Sequence, residues 1–109
     1  MEIQFSNRKL QKIFGSEKEL QRKYGMKARK IMMRMQVLKH ARTLAEVPYL
    51  PPDRRHELKG ELKGTFAVDI TGNERLIFKP LGNPPRREDG GIDLSRVDGV
   101  EILDVGDYH

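Results

Sequence analysis

No cysteine occurs in the sequence, which excludes disulfides and thiolate metal sites. No stretch approaches the roughly 20 consecutive apolar residues of a membrane span. The opening MEIQFSNRKL has no apolar run of the signal-peptide kind. A cytoplasmic location with no membrane partner is therefore expected. The three histidines, His40, His56 and His109, include no pair at close ligand spacing. His56 and His109 with Asp107 would make a facial ligand set, but the surplus of Lys and Arg would repel a cation. Neither a metal nor a cofactor is expected. No serine stands in a nucleophile-elbow context, which argues against a Ser/His/Asp hydrolase. Gly60-Glu61-Leu62-Lys63-Gly64 lacks the spacing of a phosphate-binding P-loop.

What is present is charge, unevenly spread. The 109 residues, enough for one domain (1–109) with a modest core, carry a net charge of +5. Residues 1–64 hold 16 basic and 7 acidic side chains, a net of +9, and residues 65–109 hold 5 and 9, a net of −4. A basic half fits a polyanionic partner such as a nucleic acid. It fits a solvated helix surface equally well.

The hydrophobic period divides the chain in the same way. Ile3 and Phe5 alternate as an opening strand. Ser6 is positioned to cap a helix bearing Leu10, Ile13 and Phe14, and Ser16 with Glu19 forms a capping box ahead of Leu20 and Tyr24. Ala28, Ile31, Met32, Met35 and Leu38 recur at helical spacing, predicting a helix over about 26–42 with Lys27, Arg29, Lys30, Arg34 and Lys39 on its other sides. Pro48, Pro51 and Pro52 then forbid helix. Beyond them the period becomes two: a strand over 54–59, a second at Phe66, Val68 and Ile70, a turn at Thr71-Gly72-Asn73, a third at Leu76 to Phe78, a polar loop over 80–95, and a last strand over 100–105. Helices followed by strands predict an α+β fold, with the N-terminal helices packed on a twisted, mostly antiparallel sheet.

Four segments carry a resemblance. They are His56-Glu57-Leu58-Lys59-Gly60, Lys63-Gly64-Thr65-Phe66-Ala67-Val68, Gly72-Asn73-Glu74-Arg75-Leu76-Ile77-Phe78 and Asp107-Tyr108-His109. In this order they resemble the HigB-like plasmid maintenance killer toxins of the RelE/ParE superfamily, over most of the chain from Phe5 onward. That resemblance implies a RelE/ParE-like domain that cleaves mRNA in the decoding site of the ribosome. It also implies restraint by a cognate antitoxin, usually a helix-turn-helix protein. Carried over position by position, it implies His56, Lys59, Arg75, Asp107, Tyr108 and His109 as catalytic residues and Asn73 as a substrate contact. Arg54 and Arg55 join the substrate side by their place beside His56. Two positions depart from the pattern: Glu57 stands where Pro is common, and Glu74 where Trp is common.

The residue types suit metal-independent RNA cleavage, in which a 2′-OH attacks the adjacent phosphate. Such a reaction needs a base, an acid for the leaving 5′-oxygen, and cations around the phosphorane. Histidine titrates near neutrality and can serve as either proton carrier. Lys59 and Arg75 would supply positive charge, Arg75 as a bidentate clamp. Asp107 would orient an imidazole, and Tyr108 would stack on a base. His109 is assigned as base, with His56 or Lys59 assisting the leaving group. Lys59, Arg75 and one of Arg54 or Arg55 are expected on one sheet face near His56. Two rival readings share the fold: a ParE-like inhibitor of DNA gyrase, and a non-catalytic RNA-binding relative. Gyrase binding would not need His56 or the Asp107-Tyr108-His109 set.

Overall fold

The computed structural model of the chain describes residues 1–107. Strand β1 (Glu2–Phe5) opens it, followed by helices α1 (Arg8–Phe14), α2 (Glu17–Tyr24) and α3 (Ala28–His40). Four strands follow: β2 (His56–Glu57), β3 (Phe66–Asp69), β4 (Arg75–Pro80) and β5 (Gly99–Gly106). They form one sheet in the order β1-β5-β4-β3-β2. The β1–β5 pair is parallel and the other pairs are antiparallel. This is the expected α+β arrangement.

Local chemistry accounts for the element ends. Ser6 does not cap α1. Its N–H still bonds to Ile102 O of the sheet, and Asn7, with an extended backbone, accepts from Leu10 N at 2.8 Å. Ser16 caps α2 as expected, accepting from Glu19 N at 3.3 Å. α3 covers the whole apolar period but is shorter than the expected 26–42, because Gly25–Lys27 forms a 3-10 turn and Ala41 is extended. Its face of Ala28, Ile31, Met35 and Leu38 is buried, with Met32 partly so.

Alternation divides the sheet into two faces. Phe66, Val68, Leu76, Phe78, Val100 and Ile102 pack with the helices in the main core. Ala67, Ile77 and Leu58, with Leu103 against them, form a smaller cluster on the face turned away from the helices. A bulge in β5 sets Asp104 opposite Ile77 and Ile102 opposite Phe78.

Two expectations change. The strand over 54–59 contracts to His56–Glu57, since Arg54 adopts φ 48° and its N–H turns back to Leu50 O. The loop over 80–95 is not wholly polar: Ile92 and, just beyond it, Val97 are buried, and Arg86 bridges to Ile92. Among the described residues no helix is long and apolar enough to cross a membrane.

Candidate functional site

The face turned away from the helices carries the polar chemistry. His56 pairs in register with Ala67, which pairs with Ile77, so these three side chains share it. Two residues along, Asp69 pairs with Arg75, which pairs with Gly106. The end of β5 thus lies beside Arg75.

Asp69 gathers the arginines. Arg54 donates to it through Nε (2.7 Å) and Nη2 (3.0 Å), a bidentate pair. This bonding raises the Arg54 guanidinium above its ordinary value. Arg75 Nε lies 2.9 Å from Asp69 Oδ1, an ion pair whose N–H is not aligned with the oxygen. Arg75 Nη1 donates to the carbonyls of Thr71, Gly72 and Glu74 at 3.2–3.4 Å. The Asp69 backbone is held as well: its N–H donates to Asp53 O (2.8 Å), and Arg34 Nε donates to its carbonyl (2.6 Å). Arg34 also lies 3.8 Å from the buried carboxylate of Asp53.

His56 is tied to the same group. Its Nδ1 lies 2.8 Å from Arg54 O. A carbonyl oxygen only accepts, so Nδ1 carries the proton and Nε2 is the nitrogen that takes up and releases one. Arg54 therefore orients the imidazole with its backbone while its side chain reaches Asp69.

The other implied residues lie on neighbouring turns and strand ends. Arg55 turns away from this face, donating to the carbonyls of Leu44 (2.7 Å) and Val47 (3.0 Å), and burial lowers its guanidinium. Lys59 is exposed in the turn after β2, and Asn73 is exposed in the turn before β4. Asp107 is exposed just beyond β5. Tyr108 and His109 lie outside the described residues. Both departures from the toxin pattern have structural partners: Glu57 accepts from Gly64 N at 3.0 Å, and Glu74 forms an ion pair with Lys27.

Asp69, Asp53 and Arg34 escaped the sequence reading. Asp69 occupied a polar position of an alternating strand, and Arg34 a polar position of a basic helix. Only the proximity of the two elements reveals them. Among the described residues no three His, Asp or Glu side chains gather as a metal site would require. A cavity of about 750 Å³ opens on the helical side, bordered by Ile3, Phe5, Phe14, Met32 and Met33 with Arg29 and Lys39 at its rim. It shares no residue with the His56 and Asp69 group.

No family model matches the sequence, and no curated protein matches it significantly. Solved structures do match. The YoeB/ParE toxin from Agrobacterium tumefaciens aligns with TM-score 0.58 at 16% identity, over 100% of this chain and 99% of that one. The YoeB-YefM complex from Staphylococcus aureus aligns with TM-score 0.55 at 16% identity, over 100% and 97%. The fold is that of the YoeB/ParE toxins. At this identity the likeness extends to the fold.

Proposed function

We propose that this chain is a HigB-like toxin of a toxin–antitoxin pair, a ribosome-dependent endoribonuclease that cleaves mRNA without a metal. One observation carries the reading: an imidazole, His56, is fixed through Nδ1 on the Arg54 carbonyl, while the Arg54 guanidinium is held on Asp69, two residues along the strand from the Ala67 partner of His56. A fixed proton carrier and a fixed guanidinium tied to one residue suit 2′-OH attack on phosphate. The 2′-oxygen forms a bond to phosphorus and the bond to the 5′-oxygen breaks. One proton leaves the 2′-OH and another reaches the 5′-oxygen. His109 serves as base, with His56 or Lys59 delivering the second proton. Arg54 and Arg75 place positive charge near the phosphate, while Asn73, Asp107 and Tyr108 position the RNA.

The four-segment resemblance and the shared fold support this reading. The partners are the ribosome with its mRNA, and a cognate antitoxin of the helix-turn-helix kind. One of the matched structures is a YoeB-YefM complex, which is in keeping with such a partner. The setting is the cytoplasm.

The groups read as catalytic are few, and the RNA must be brought in line by something else, which the ribosome can do. Primer extension should show cutting of translated mRNA and little cutting of free mRNA. Equal cutting of both would refute the dependence on ribosomes. Inhibition of gyrase supercoiling with RNA intact would favour the ParE-like reading. RNA binding with no cleavage would favour a non-catalytic relative.

A further inference from the structure

We infer that Asp69 is a positioning residue: it grips one edge of the Arg54 guanidinium so that the other edge faces an RNA phosphate. The inference rests on the RNA-cleaving function proposed above and assigns Arg54 and Arg75 different parts in it.

A guanidinium has five N–H donors arranged in two usable forks, one formed by Nε and Nη2 and one by Nη1 and Nη2. Asp69 takes the first fork of Arg54 with both carboxylate oxygens, at 2.7 and 3.0 Å. The second fork has no partner among the described residues, and the Arg54 side chain is 40% exposed. Arg75 is in the opposite state. Its side chain is 8% exposed and its Nη1 is spent on three carbonyls. It is placed to fix the carboxylate rather than to meet substrate. Asp69 cannot drift, because its own N–H and carbonyl are tied to Asp53 and Arg34.

The backbone of Arg54 points the same way. It is the one non-glycine residue with positive φ among the described residues. Such a conformation persists where its surroundings over-determine it. Here it lets one residue send its carbonyl to His56 and its side chain to Asp69. Phosphate and imidazole are thereby set in register.

A simpler view treats Asp69 as a carboxylate that blocks Arg54 and competes with phosphate. The two views predict opposite signs for Asp69→Asn. If Asp69 competes, the variant gains positive charge, binds RNA more tightly and cuts at least as fast. If Asp69 positions Arg54, the variant binds less well despite the added charge, and cuts about 10²-fold more slowly, as misplacement of a reacting group does.

The test uses the full chain as wild type, D69N, R54K and the double variant, with urea unfolding as the check on the fold. Cleavage is followed on programmed ribosomes, and binding by anisotropy of a labelled single-stranded RNA. R54K keeps the charge but lacks the fork, so it should lose rate as D69N does. The double variant should be no slower than the slower single variant. D69N at wild-type rate or tighter binding would overturn the inference, as would losses that multiply in the double variant. Should D69N fail to fold, R54K decides: a wild-type rate overturns the inference, and a loss of rate supports it. If the wild type binds RNA without cutting it, the proposed function falls, and the binding comparison still decides the role of Asp69. If the wild type neither binds nor cuts, both fall.

Discussion

Arg54 serves the site through two parts of one residue, carbonyl and guanidinium, and the side chains around it divide into those that face substrate and those that hold the frame. His56→Ala should slow cleavage by roughly 10²–10⁴-fold, the usual worth of general acid–base help, with an unfolding midpoint close to wild type. Cleavage rates and urea unfolding on the same preparation check this. Arg34 belongs to the frame. Its side chain is 8% exposed, it supports the Asp69 carbonyl, and it forms an ion pair with the buried Asp53. Arg34→Met should destabilise the fold by about 3–5 kcal/mol, because it leaves a carboxylate buried without its counter-charge. Urea unfolding measures that loss, and a change under about 1 kcal/mol would contradict it. The sequence pointed to His56, Arg54 and Arg75 through their local segments. It could not point to Arg34, Asp53 or Asp69, since an arginine in a basic helix looks alike whether it meets water or crosses to a sheet. Tyr108 and His109, named from the resemblance, lie outside the described residues.

At the level of elements, hydrophobic period was legible and element ends were not. α3 and the strands β3, β4 and β5 followed from spacing 3.6 and spacing 2. The start of α1 did not, because Ser6 and Asn7 both suit a cap and only the Ser6 bond to β5 decides between them. Asn7→Ala should therefore cost about 1 kcal/mol, while Ser6→Ala should change little; paired urea curves separate the two. β2 was overextended for a related reason. A positive φ at an arginine has no signature in sequence, and it is what shortens the strand. The loop between β4 and β5 gives a prediction in pH. The Gly91 N–H, then the Arg87 side chain, hold the Asp89 carboxyl below its ordinary value. The anionic form is favoured in the fold, so its contribution is present above the ordinary carboxylate range and is lost as pH falls through the lowered value. The Gly91 amide should shift over that acid range in an NMR titration. An amide shift centred at the ordinary aspartate value would contradict the bond.

Over the whole molecule, the charge asymmetry of the sequence admitted either a nucleic-acid partner or a solvated surface, and the fold shows it serving more than one end. Arg34 and Arg55 are turned inward to acceptors of the chain itself, Lys27 is paired with Glu74, and Arg54 stands with His56 on the face away from the helices. Binding of single-stranded RNA should weaken with salt, and Arg54→Gln should flatten the dependence of log affinity on log salt by about 0.7, one phosphate contact. An unchanged slope would mean that Arg54 meets no phosphate. The ends of the RNA that the protein makes report its chemistry most directly. Attack by a 2′-OH leaves a 5′-hydroxyl on the downstream fragment and a cyclic or 3′-phosphate on the upstream one. Fragments from translated mRNA treated with wild-type protein should accept label directly from polynucleotide kinase, and His56→Ala should yield almost none. Fragments bearing 5′-phosphate, or the same yield from His56→Ala, would contradict the account.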